Sequence, residues 1–300
     1  MFKAVIDIGT NSIKAVIASV LEEGIDILED INRAPRLGEK LAESGQIGAE
    51  AMQRNLSALR EIRDICQKRR VEKVQCVGAE TLRKAKDADL FKQMVLEELG
   101  WELRTLRPEE EARLTFLASV EMAPKGVPAL VVDSGGGSTE FSFGDRVSIE
   151  ARHSLPLGAV TLTQQFIHND PPKAEELSLL AEHIRKMLRD QLPQREPLFT
   201  IACGGTLTTL AAVGLGLDSF DPDKVQGYLL TRQELARQKN LFRDLDNEGR
   251  KGIKGMPASR ADIILAGAMI AAGILEHFTL EGVRVSTYGL RHTLLWEDLP

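Results

Sequence analysis

Short apolar runs rich in β-branched residues, each closed by glycine and small polar residues, alternate along this chain with longer stretches whose apolar positions recur at helical spacing. The first run, "VIDIGTNSIKAVIA" from Val5, reads as strand, turn and strand, and "IDILED" (25–30) continues it as a third strand. A second copy opens at Val131: "VVDSGGGSTEFSFG" sets Asp133, Gly135 and Ser138 on Asp7, Gly9 and Ser12, and "RVSIEARHSL" (146–155) supplies its third strand. Each opening is followed by helical stretches, such as "AEAMQRNLSALREIRDICQKR" (49–69) and "AEELSLLAEHIRKMLRDQL" (174–192), and then by a strand-like run, "KVQCVGA" or "LFTIACG". The pattern is α/β, with helices covering sheets. Its internal repeat predicts two domains on one plan, with both turns facing a cleft between them. Pro124 and Gly126, inside "SVEMAPKGV" (119–127), mark the expected hinge, so the domains are read as 1–123 and 124–300, with the last helix free to pack back on the first.

One run departs from this alternation. "IILAGAMIAAGIL", between Asp262 and Glu276, is apolar all round, yet it is well short of the roughly 20 residues that a membrane span needs. It is expected to be a buried helix packed closely through its Gly and Ala residues. Asp7 interrupts the apolar N-terminus where a signal peptide would need an unbroken stretch, so a cytoplasmic protein without a membrane segment is expected. Cys66, Cys76 and Cys203 are scattered and odd in number, which argues against a disulfide framework or a zinc site and for buried, reduced thiols. The net charge of -6 excludes the strongly basic surface of a nucleic-acid-binding protein. Any polyanionic ligand must therefore meet local cations.

The turns carry the candidate chemistry. Asp7, Gly9, Thr10, Asn11 and Ser12 combine a carboxylate, a flexible backbone and short hydrogen-bonding side chains, a set that suits phosphate oxygens and a cation and equally suits a plain polar turn. Gly135, Gly136 and Gly137 offer unobstructed N–H groups, Ser138 a hydroxyl, and Asp133 and Glu140 hard oxygen ligands of the type Mg²⁺ takes. A third glycine pair, Gly204 and Gly205, ends a strand, with Thr206 or Thr208 expected to cap the helix that follows. In "RPEEEARLTFLASV", Pro108 and three glutamates suit a first helical turn. Glu111 shares a side with Leu114 and Ala118 and is expected to face protein, which makes it a candidate general base. Arg83 and Arg260 are the candidate cations, and "RKGIKGMPASR" (250–260) gathers four basic groups without an acid. The five histidines show no shared spacing.

"DIGTNSIK", "RLGEKLAESGQI", "GAETLRKAKD", "EEEARL", "VVDSGGGSTEF", "SLPLGAVTLTQQF", "ACGGTLTTLAA", "RADIILAG" and "STYGLR" together resemble, in order and spacing, the exopolyphosphatase and guanosine pentaphosphate phosphatase family, over nearly the whole chain. The resemblance implies two actin-like, ribonuclease-H-like (ASKHA) domains flanking a central cleft, and hydrolysis of a terminal phosphoanhydride with Mg²⁺. It makes Glu111 the residue that activates water. Thr10, Asn11, Ser12, Lys14, Arg83, Gly135, Gly136, Gly137, Ser138, Gly204, Gly205 and Arg260 become the phosphate-binding set, and Asp7, Asp133 and Glu140 lie near the metal. The implied ligand is inorganic polyphosphate or guanosine penta- or tetraphosphate, and a homodimer is expected. The competing readings are a non-catalytic alarmone or polyphosphate sensor and a small-molecule kinase. Two departures stand out: Arg107-Pro108 replaces a usual Ser-Gly before the glutamates, and His292-Thr293 replaces a usual Glu-Gly.

Overall fold

The computed structural model describes residues 1–21, 24–193 and 199–296. Leu198, which begins the expected run "LFTIACG", lies outside the described residues. The chain divides into two compact units, one comprising Met1–Ala118 and the C-terminal segment from Leu290, the other Ser119–Gly289. The first division falls inside the helix Pro108–Val120, a few residues before the expected hinge.

In the first unit, β1 (Phe2–Ile8), β2 (Ile13–Leu21) and β3 (Gly24–Arg33) form an antiparallel meander, and β4 (Lys73–Gly78) and β5 (Leu103–Thr105) add in parallel, giving the order β3-β2-β1-β4-β5. The second unit repeats this arrangement. There β6 (Ala129–Ser134), β7 (Thr139–Gly144) and β8 (Ile149–Leu155) form the meander, and β9 (Phe199–Cys203) pairs in parallel with β6. β11 (Gly282–Val285) follows β9, and β10 (Leu229–Thr231) closes the edge, giving β10-β11-β9-β6-β7-β8. A meander extended by parallel strands is the ribonuclease-H-like plan of actin-like folds.

Strand alternation decides what each sheet face carries. In β1, Ala4, Ile6 and Ile8 enter one core cluster with the helix Ala49–Lys68, while Val5 enters a second cluster with Leu114, Leu290, Leu294 and Leu295. Asp7 has the parity of Val5 and therefore sits on that second face. In β6, Leu130 and Val132 face the large core of the second unit, which puts Asp133 on the opposite face with Val131. Each fully buried Leu or Ile in these clusters contributes about 1.5–3 kcal/mol.

The apolar segment forms the helix Ile264–His277, buried along most of its length, and among the described residues no helix is long and apolar enough to cross a membrane. The three cysteines are free and buried, and burial pushes the Cys66 thiol up to about 11, so little thiolate forms at neutral pH.

The helix Ala174–Gln191 starts from a polar clasp. Glu176 accepts hydrogen bonds from the amides of His168 (2.8 Å) and Lys173 (2.8 Å) and from Asn169 Nδ2 (2.9 Å). These bonds, the Asn169 side chain foremost, hold its carboxyl at about 2, against an ordinary 4.5. A depressed carboxyl contributes stability above its unfolded value and loses it as pH falls through the folded one. The stability advantage of the wild type over Glu176→Gln is therefore expected to be constant near neutrality and to shrink between pH 4.5 and about 2. Urea midpoints at pH 6 and pH 3, both within about the same range of temperatures, check this; an unchanged difference would remove the clasp as its source.

Candidate active site

Both hairpins that open the units close in the same way. Ile8 pairs with Ile13 and Ser134 with Thr139, leaving four-residue turns in which the Gly9 amide donates to Ser12 O (3.0 Å) and the Gly135 amide to Ser138 O (2.9 Å). The carbonyls of each turn are tied back to the body of its own unit. Gly38 N donates to Thr10 O (2.9 Å) and Arg36 N to Asn11 O (3.1 Å). In the second turn, Ala159 N donates to Gly135 O (3.1 Å), and Val160 N (2.9 Å) and Thr161 N (3.2 Å) both donate to Gly136 O.

These bonds orient the amides. A planar trans peptide points its C=O and N–H in opposite directions, so fixing the Gly135 and Gly136 carbonyls on the start of the helix Ala159–Phe166 aims the next two N–H groups away from it. Among the described residues, no protein acceptor takes the Gly136 or Gly137 amide. Successive outward amides form an anion-binding concavity. Gly158 makes this packing feasible: a Cβ there would lie 2.2 Å from Gly136 O and 2.3 Å from the Gly137 carbonyl carbon. In the first turn, Thr81 Oγ1 donates to Thr10 Oγ1 (3.0 Å), and Asn11, only 4% exposed, leaves both polar side-chain atoms without a partner. A buried amide with nothing to bond is costly unless a ligand completes it.

The side chains of the second unit gather around the end of β6. Asp133 and Glu140 are direct register partners on β6 and β7, and Glu140 Oε1 accepts from Ser138 Oγ (2.5 Å) and Ser154 Oγ (3.0 Å). Asp133 Oδ1 would lie 2.6 Å from a Cβ on Gly204, which places that carboxylate at the start of the helix Gly204–Leu215. The Arg260 guanidinium lies across Gly205, its Nη2 1.9 Å from where a Cβ would be, and Arg260 is 8% exposed. A guanidinium held against the positive end of a helix concentrates like-signed charge, the local field that favours an anion. Thr206 or Thr208 was expected from sequence to cap this helix, and neither does. The helix begins three residues earlier than a Thr206 cap would put it, Cys203 is the N-cap, and Thr208 Oγ1 donates to Gly204 O (3.1 Å).

The basic segment 250–260 divides between two tasks. Arg250 is buried and donates to Phe242 O (2.7 Å), Lys251 pairs with Glu248 and Lys254 with Asp218, so Arg260 is its member beside the glycines.

In the first unit, Asp7 and Lys14 are register partners on β1 and β2, the positions that Asp133 and Glu140 hold in the repeat. Glu111 turns inward as its spacing predicts, with its side chain 15% exposed. It is paired: Arg83 Nη1 donates to Glu111 Oε2 (2.9 Å) and to Leu106 O (2.9 Å). The candidate base and a candidate phosphate arginine thus hold each other.

Among the described residues, no three His, Cys, Asp or Glu side chains group as a ready-made metal cage. The two facing carboxylates, Asp133 and Glu140, are the kind of donor set that Mg²⁺ shares with phosphate oxygens and water.

Sequence reading missed the supports of the turns: Gly158, the amides of 159–161, and the 36–38 loop. The Leu-Gly of "SLPLGAV" was the available signal for the first of these, since a glycine just ahead of a helix marks close backbone approach.

The repeated strand order, with a tight turn closing the first hairpin of each unit, defines the class as an actin-like α/β protein. The particular group follows from the sequence as a whole. A model of the Ppx/GppA phosphatase family matches residues 16–300, and the chain belongs to that family of phosphohydrolases. It is 30% identical to exopolyphosphatase 2 of Mycobacterium tuberculosis over 95% of this chain and 98% of that protein. It is 28% identical to the guanosine-5'-triphosphate,3'-diphosphate pyrophosphatase of Vibrio vulnificus over 98% of this chain and 58% of that longer one. Among solved structures, an Aquifex aeolicus member of the Ppx/GppA family superposes with a TM-score of 0.82 at 33% identity, covering 100% of this chain and 97% of that one. An exopolyphosphatase from Cytophaga hutchinsonii gives 0.90 at 25% identity, covering 100% and 98%.

Proposed function

We propose that the protein releases terminal orthophosphate from inorganic polyphosphate by attack of a water molecule that Glu111 deprotonates. The observation that carries this reading is the second turn, whose carbonyls are anchored so that two amides point outward, in the same unit as the buried Arg260 on a helix start. Such donors address phosphate oxygens and are indifferent to what lies further along the chain. In the reaction the water oxygen bonds to the terminal phosphorus, its proton passes to Glu111, and the bridging P–O bond breaks to leave a chain one phosphate shorter. Phosphoryl transfer asks mainly for positioning and charge stabilisation, which backbone donors, arginines and one base supply.

Arg83 gives the base a second state. While it holds Glu111, the carboxylate is fixed but engaged; a terminal phosphate competes for the guanidinium and frees Glu111 toward water. Asp133 and Glu140 would hold Mg²⁺, which when bound would neutralise charge on the phosphate oxygens, and Asp7 is the carboxylate at the equivalent register position of the first unit. Thr10, Asn11, Ser12 and Lys14 are assigned to phosphate oxygens.

A second substrate, guanosine pentaphosphate, is favoured by the Vibrio relatives, which align over 98% of this chain. The reading rests on polyphosphate because the exopolyphosphatase relative matches from end to end. Orthophosphate release with Mg²⁺ from short polyphosphate, long polyphosphate and guanosine pentaphosphate tests it. Faster turnover of polyphosphate, measured as kcat/KM, is expected. Preference for the nucleotide would reassign the substrate, binding without turnover would make the protein a sensor, and phosphate transfer to a second substrate would make it a kinase.

A further inference from the structure

The C-terminal helix Leu290–Trp296 lies against the sheet of the first unit, where Leu290, Leu294 and Leu295 share a cluster with Val5, Val16 and Leu114. Three polar anchors hold it. Lys3, fully buried on β1, donates its Nζ to Leu294 O (2.5 Å); Arg291 Nη1 donates to Asp30 Oδ1 on β3 (2.7 Å); and Thr293 Oγ1 donates to Leu114 O (2.6 Å). The first two fasten the helix to the sheet. The third alone among these anchors grips the helix Pro108–Val120, which carries Glu111.

Leu114 lies three residues beyond Glu111, on a neighbouring position of the same helical face. Its carbonyl has a second lone pair beyond the one a helical bond uses, and Thr293, 3% exposed, occupies it in a dry environment where such a bond is geometrically demanding. On the other side, Arg83 reaches Glu111 from the helix Glu80–Lys84. The helix is therefore held at its side chain by Arg83 and at its backbone by Thr293.

We propose that Thr293 is a positioning residue for the reaction: through Leu114 O it sets the placement of the Pro108–Val120 helix, and with it the reach of the Glu111 carboxylate. The inference rests on the assignment of Glu111 as the base.

The test is steady-state orthophosphate release from short polyphosphate with Mg²⁺, beside thermal melting, for Thr293→Val, Thr293→Ser, Asp30→Asn and Glu111→Gln. Thr293→Val keeps the shape and removes the donor. It is expected to lower kcat about tenfold, a smaller loss than the roughly hundredfold that a misplacement of about 1 Å can cost, with KM within about twofold. Thr293→Ser restores the hydroxyl and is expected to recover most of the rate. Asp30→Asn takes the charge out of another anchor of the same helix, leaving Arg291 only a neutral oxygen, and is expected to lower the melting temperature while leaving kcat unchanged. If Thr293→Val does not fold, Thr293→Ala removes the same donor with less bulk. Wild-type kcat in the folded hydroxyl-free variant, or an equal loss in Asp30→Asn, overturns the positioning role. Full activity in Glu111→Gln overturns the base itself, a separate failure seen in a separate variant.

Discussion

Replacing Glu111 by glutamine is expected to lower kcat for orthophosphate release by about 10²- to 10⁴-fold, the range that a positioned general base contributes, while leaving the affinity for polyphosphate equal or higher. The unequal effect follows from the pair with Arg83. Glutamine fits the same space and still offers an oxygen to the guanidinium, and Arg83 keeps its bond to Leu106 O, so the helix start stays in place. What disappears is the group that takes the proton, together with the negative charge that competes with phosphate for Arg83. Loss of kcat without a rise in KM is the pattern of an interaction made on the way to the transition state. Binding of tripolyphosphate measured by calorimetry, beside single-turnover release, separates the two effects. A kcat within threefold of wild type would remove Glu111 from the chemistry. A large rise in KM with kcat retained would make it a binding residue instead.

Gly158→Ala acts from the other unit and by another route. The added methyl would fall 2.2 Å from Gly136 O, and the atoms it meets are backbone, so the turn or the helix start must move. Overpacking of this kind costs about 1–3 kcal/mol of stability. The larger effect is expected on binding. Once the Gly135 and Gly136 carbonyls leave the amides of 159–161, the outward N–H groups lose their direction. A hydrogen bond to a charged group is worth about 1.5–3 kcal/mol, so two misdirected amides correspond to a loss of affinity of about a hundredfold or more. The readouts are the melting temperature and the tripolyphosphate dissociation constant at a temperature where the variant is folded. A destabilised protein with unchanged affinity would show that the second turn does not hold the ligand.

The two variants test different layers of the site, and those layers were unequally visible in sequence. The matched turns at Asp7–Ser12 and Asp133–Ser138 were legible because a strand, a small-residue turn and a strand are written within a dozen or so residues, and recurrence of the pattern marked it as architecture. The inward face of Glu111 was legible for the same reason: helical spacing relative to Leu114 and Ala118 is local information. The buried helix Ile264–His277 followed from composition alone. The start of the helix Gly204–Leu215 was misplaced by at least three residues because threonines are good caps, whereas Gly204, at φ +90, lets the chain enter the helix directly from the strand.

The sequence by itself determined the fold class, the repeated plan, the two turns and the face on which the candidate base lies. Period and turn chemistry act over a few residues and need no partner from elsewhere. Only the tertiary structure decided what those groups touch. It paired Arg83 with Glu111 across 28 residues, laid Arg260 over Gly205, pressed Gly158 against the glycine turn, and brought Thr293 to Leu114 across 179 residues. Each of these contacts depends on the path of the chain between its ends. Hydrophobic periodicity records which face of an element is buried, but not which distant element buries it.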